Sequence, residues 1–103
     1  MADPMRIRAV AKDGGVSVKV LMSHDMETGQ RKDSAGKLIP AHFIQQVSAT
    51  WQGKLVLSAN WGAAISKNPF FEFSFKGGQK GEKIQVTWTD NKGDKRTDEA
   101  TIN

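Results

Sequence analysis

Two histidines and two carboxylates crowd one stretch of this chain: His24, Asp25 and Glu27 stand within four residues, and His42 follows. Two imidazoles and one carboxylate make a donor set for a divalent metal, provided that the segment between them folds back. An enzyme built on this pattern would be a small metal-dependent hydrolase using His24, His42 and Glu27. The competing reading is a solvated loop whose polar side chains bond their own backbone. That second reading is the expectation here, with no metal, no cofactor and no catalytic residue. Ser23-His24-Asp25 holds the three residue types of a nucleophilic triad, but adjacent residues on an extended chain point in different directions, and triad members must converge. Gly77-Gly78 between Lys76 and Lys80 has the composition of an anion cradle. Neither a Walker pattern nor a helix follows it, so it reads as a turn. With no Cys anywhere, the chain has no thiol of its own to act as nucleophile, metal ligand or sulfur carrier.

The elements that must position these residues are strands. Period-two alternation recurs in short runs, and no stretch carries a helical period. Met5 to Lys12 alternates Met5, Ile7, Ala9 and Ala11 against Arg6, Arg8 and Lys12, and Asp13-Gly14-Gly15 turns it into Val16 to Ser23. Ala41 to Trp51 places Phe43, Val47, Ala49 and Trp51 inward, with Gln45 the one polar exception and Ile44 outward. Gln52-Gly53 leads into Lys54 to Trp61, where Leu55, Leu57, Ala59 and Trp61 face in and Val56 faces out. Pro69 to Lys76 puts Phe71, Phe73 and Phe75 on a buried face, with Phe70 opposite. Lys83 to Asp90 and Asp94 to Ile102 form a last hairpin around Asn91-Lys92-Gly93. Seven short strands in 103 residues predict an all-β protein, one immunoglobulin-like antiparallel β-sandwich spanning 1–103, with a barrel as the alternative.

The polar segment from His24 to Pro40 is longer than a usual connection, and long ordered loops tend to be functional or covered by a partner. Ile44, Val56 and Phe70, apolar on the outward phase, predict a protein-binding face if they cluster, or a phase slip at a bulge. The net charge is +4, and between Ser34 and Thr89 six bases stand against two acids, which accounts for all of it. Most aromatics fall at core spacing, so nucleic acid is not an expected partner. No apolar run is long enough to cross a membrane as a helix, and the start Met1-Ala2-Asp3-Pro4 lacks the pattern of an export signal.

His24-Asp25-Met26-Glu27-Thr28-Gly29-Gln30-Arg31-Lys32-Asp33, continuing through Gly36-Lys37-Leu38-Ile39-Pro40-Ala41-His42-Phe43-Ile44, resembles the Z-subunit family of the sulfur-oxidation carrier complex SoxYZ. Ser66-Lys67-Asn68-Pro69-Phe70, Thr87-Trp88-Thr89-Asp90-Asn91-Lys92-Gly93 and Thr97-Asp98-Glu99 are similar to that family as well. The resemblance implies an immunoglobulin-like, non-catalytic subunit that forms a heterodimer with the SoxY subunit. SoxY carries thiosulfate-derived intermediates on a Cys of its C-terminal arm, and other Sox enzymes contact the complex transiently. It also implies a periplasmic location, reached by export together with signal-bearing SoxY. His24, Met26, Glu27, Thr28, Gly29, Arg31, His42 and Phe43, with Asn68 and Phe70 as second choices, are the residues expected at the SoxY interface or facing its arm. Arg31 and Lys32 are expected to attract an anionic cargo or an acidic partner surface. Self-association of the chain alone, through an exposed strand edge, stays open as an alternative.

Overall fold

The computed structural model describes residues 4–62, 65 and 67–103; the sequence motifs at Met1–Asp3 and Ser66 lie outside them. Its seven strands are β1 (Arg6–Lys12), β2 (Gly15–Leu21), β3 (Ile44–Trp51), β4 (Lys54–Asn60), β5 (Phe70–Lys76), β6 (Lys83–Asp90) and β7 (Lys95–Thr101). They form a three-stranded sheet, β1-β2-β5, and a four-stranded sheet, β4-β3-β6-β7, with every strand pair antiparallel. This all-β sandwich has the three-on-four division expected of an immunoglobulin-like fold.

The alternation explains why the two sheets meet. Val16, Val18 and Val20 of β2 face Val47 and Ala49 of β3 and Ile84, Val86 and Trp88 of β6 across the core, all at most 2% exposed. Each such buried aliphatic contributes about 1.5–3 kcal/mol. Phe71, Phe73 and Phe75 point inward as their spacing predicts, yet stay half-buried, because β5 is an edge strand with a neighbour on one side only. The lateral side formed by β1 and β7 is laced shut. Ile102 bridges Ala9, and Asn103 exchanges backbone hydrogen bonds with Ala9 and Ala11.

Four side-chain orientations differ from the sequence expectation, and both causes are bulges. Gln45 is the extra residue where the β3–β6 register shifts between Ile44 and Gln46. The shift turns Ile44 into the core, fully buried, and Gln45 out to solvent. On the β3–β4 pair the register shifts between Ala49 and Thr50, leaving Val56 unpaired. Leu55 consequently swings outward, 63% exposed, and Val56 packs partly against the core. An inserted residue reverses the facing of everything beyond it, which a strict period of two does not anticipate. Phe70 is outward as expected, 61% exposed.

Candidate functional site: a histidine–aspartate–histidine clamp at the loop root

The segment between β2 and β3 begins and ends at the same place. Glu27 and His42 exchange backbone hydrogen bonds, 2.6 and 3.0 Å, and beyond them residues 31–39 project as a small hairpin. Its turn is held by Asp33, whose Oδ1 accepts the amides of Ala35 and Lys37, the local self-bonding typical of Asp in turns. The hairpin is exposed along 31–38, with Leu38 60% exposed between Lys37 and Ile39.

At the root, both histidines meet one carboxylate. His24 Nε2 lies 3.0 Å and His42 Nε2 2.7 Å from Asp90 Oδ2, at the end of β6. Asp90 Oδ1 accepts the amides of Lys92 and Asp94 at 3.0 and 2.9 Å, closing the β6–β7 turn. All four hydrogen bonds that a carboxylate readily accepts are therefore made inside the protein. The two imidazole rings stand edge to face at 4.5 Å, and His24 packs edge-on against Trp88 at 5.0 Å. Next along the chain, Asn91 takes the Phe43 amide on its Oδ1, gives its side-chain N–H to the Ala41 carbonyl and donates its own amide to the Phe43 carbonyl. On the other flank Asn68, held at a positive φ of 52°, accepts the His24 amide and donates to the His24 carbonyl.

The tautomer of His24 decides what this cluster is for. The Met26 amide donates to His24 Nδ1 at 3.1 Å, so that nitrogen carries a lone pair and the ring proton sits on Nε2, pointing at Asp90. A histidine that binds metal through Nε2 has the opposite arrangement, with Nδ1–H given to an acceptor. The ligand atoms of His24, His42 and Asp90 converge within 4.8 Å, but this donor set fits a hydrogen-bonded clamp and does not fit a metal. Adding zinc to the purified chain should leave its melting temperature unchanged. A rise would mean that the Met26 bond gives way to metal, since a ligand of the folded state stabilises it.

Burial pushes the Asp90 carboxyl up, but the hydrogen bonds from His24, His42 and the Asp94 and Lys92 amides outweigh it and hold the group below its ordinary value. A carboxyl lowered by folding stabilises the fold above its unfolded value, about 4, and that contribution fades as pH falls through the folded value. Asp98, lowered by the Arg96 guanidinium and the Met5 amide, acts in the same direction. Urea midpoints should accordingly fall as the pH drops below about 4. A midpoint that rises on acidification would contradict the clamp.

The residues expected at a partner interface separate into two groups. His24 and Met26 are buried, 7% and 5% exposed, and Phe43 packs against the core, so they build the loop from beneath. Gly29, at a positive φ of 86°, lies so close to Ala41 that an added Cβ would stand 3.1 Å from the Ala41 Cβ. Thr28, Arg31, Asn68 and Phe70 are exposed, and His42 is partly so. Glu27 does not join the histidines: its carboxylate takes the Arg31 guanidinium, Nε at 3.1 Å and a terminal nitrogen at 2.5 Å, which lowers its pKa. The acid of the cluster is Asp90, which lies 66 and 48 residues from the two histidines. Read as part of an Asp-Asn-Lys-Gly turn, Asp90 gave no sequence sign of this second task; the only available signal was that two histidines at the ends of one loop need a shared acceptor.

Comparison with known proteins fits this architecture. Among solved structures, a hypothetical protein, PH1083, from Pyrococcus horikoshii OT3 superposes with a TM-score of 0.65 at 17% identity, over 99% of this chain and 89% of that one. A superoxide reductase (neelaredoxin) from Archaeoglobus fulgidus superposes at 0.62 with 21% identity, over 99% and 90%. At these identities the likeness is one of fold. No curated protein sequence matches. The family described as "Sulphur oxidation protein SoxZ" matches residues 5–101, which takes in all seven strands, the rooted loop and Asp90. This chain belongs to the SoxZ family.

Proposed function

We propose that this protein is the non-catalytic subunit of a SoxYZ sulfur carrier complex. It binds the SoxY subunit as a heterodimer, in the periplasm, after export together with SoxY. SoxY supplies the Cys on which sulfur intermediates travel during thiosulfate oxidation, and this chain, without Cys, supplies a rigid surface. The observation that carries the reading is the rooted loop of a SoxZ-family chain. Its titratable cluster is committed to internal hydrogen bonds, while its hairpin projects Leu38 with Arg31, Lys32 and Lys37 into solvent. A side-chain cluster used this way stabilises a shape and offers no base or metal to a substrate, whereas a fixed, exposed, mixed apolar and basic hairpin suits recognition.

Native mass spectrometry of the chain alone and co-expressed with SoxY from its own organism tests this. A stable one-to-one complex that displaces any self-association is the expected result. A chain that stays free, or self-associates regardless of SoxY, would refute it.

A further inference from the structure

The outer faces of the two sheets differ in kind. On the four-stranded sheet the centre is uncharged, where β3 and β6 turn out Gln46, Ser48, Thr50, Gln85, Thr87 and Thr89, and the charges at its margin are Lys83, ion-paired with Glu99, and Lys95. On the three-stranded sheet the outward positions hold Arg6, Arg8, Lys12, Lys19 and Lys76 against one acid, Glu72. Register sets Arg8 directly opposite Lys19, and like charges so placed repel. None of these five bases has a carboxylate within 4.0 Å among the described residues. Among the described residues the one acid on this face is Glu72, opposite Lys19, so the face keeps a net positive charge.

The same face carries an apolar row at one end. Register aligns Arg6, Leu21 and Phe70 in one row across β1, β2 and β5, with Leu21 40% and Phe70 61% exposed. Beside that row a cavity of about 600 Å³ is lined by Pro4, Met5, Met22, Ser23 and Asn68, together with Arg6 and Leu21. Ser23 and Asn68 adjoin His24, so row and cavity run on into the loop root described above. An apolar row at one end of a net positive face is a form that a protein-docking surface takes, and its partner must supply apolar contact and the opposite charge.

We propose that the outer face of the three-stranded sheet seats an acidic protein surface with an apolar patch at one end: Leu21 and Phe70 dock into the apolar part, and Arg8, Lys19 and their basic neighbours meet its carboxylates. This rests on the reading of the chain as the SoxY-binding subunit, and it places SoxY on this face in continuity with the loop root. A nucleic acid would call for several stacking aromatics among the bases, and Phe70 is the single one here. A bilayer would call for a wider apolar area than the two side chains Leu21 and Phe70 supply.

The test measures binding of the full chain to full-length SoxY by calorimetry and by association kinetics at several salt concentrations. The double variant Leu21→Ser, Phe70→Ser is expected to weaken the complex at least tenfold, as removal of an apolar anchor does. Lys19→Glu is expected to slow association and flatten its salt dependence. It exchanges a like-charged neighbour, Arg8, for another, Glu72, so its melting temperature should stay near that of the parent. Gln46→Glu, at the uncharged centre of the four-stranded sheet, should bind like the parent. If the parent binds SoxY and the Leu21/Phe70 and Lys19 variants bind equally well, the docking face is refuted while the proposed function stands. If the parent does not bind SoxY, both fall together. Retention of the parent, but not of the Leu21/Phe70 variant, by phosphatidylglycerol vesicles or duplex DNA in place of SoxY would also overturn the assignment.

Discussion

Replacing Asp90 with Ala is expected to cost about 3–5 kcal/mol, because each buried donor left without an acceptor costs about 1–3 kcal/mol and four donors lose theirs. Two are imidazole N–H groups buried or half-buried beneath the loop, and two are amides of the β6–β7 turn, where water can partly replace the lost bonds. A loss of that size is a large share of the roughly 5–15 kcal/mol that holds a small domain together. Urea denaturation measures the total, and hydrogen exchange at the Met26 and Asn91 amides reports the loop separately, since the first donates to the His24 ring and the second to the Phe43 carbonyl. Asp90→Asn distinguishes the parts. Its oxygen can still serve the turn amides, but its NH2 group meets two imidazole N–H donors, so the turn should recover while the loop amides stay unprotected. A cost below about 1 kcal/mol for Asp90→Ala, within the range of ordinary surface changes, would show that the loop is held by other contacts.

Trp88→Ala should be comparably severe, about 3–5 kcal/mol, since truncating a buried aromatic leaves a cavity that the surrounding sheets fill only in part. Trp88 is 2% exposed and supports the ring of His24 from below, so the same variant should also loosen the clamp. Trp88→Phe gives the informative contrast. The indole N–H is buried without a hydrogen-bond partner among the described residues, and a buried orphan donor is itself destabilising by about 1–3 kcal/mol. Phe removes that donor and keeps most of the apolar ring, so its cost should stay below about 2 kcal/mol. Equal losses for Phe and Ala, by calorimetry or urea denaturation, would show that the indole nitrogen has a stabilising partner.

The sheets and the loop were unequally legible in the chain. Hairpins such as β1–β2 and β6–β7 could be read because their pairing is local: Asp13-Gly14 and Asn91-Lys92-Gly93 reverse the chain and the alternation on either side falls into register. Leu55 and Ile44 could not be placed, since each lies next to a bulge whose extra residue, Val56 or Gln45, is visible only in the pairing with a neighbouring strand. His24 and His42 were legible as a pair at the ends of one loop, and Glu27 stood nearest in sequence. Arg31 takes Glu27 instead, and the acid that joins the histidines comes from the far end of β6.

By itself the sequence determined the strands, their turns, the absence of any thiol chemistry and the family resemblance, all of which depend on residue type and spacing along the chain. The tertiary structure alone decided which carboxylate closes the clamp, which nitrogen of His24 carries the proton, and which sheet face gathers the bases together with Leu21 and Phe70. These depend on contacts between residues dozens of positions apart, which exist only once the two sheets have packed and the cost of closing the intervening chain has been met.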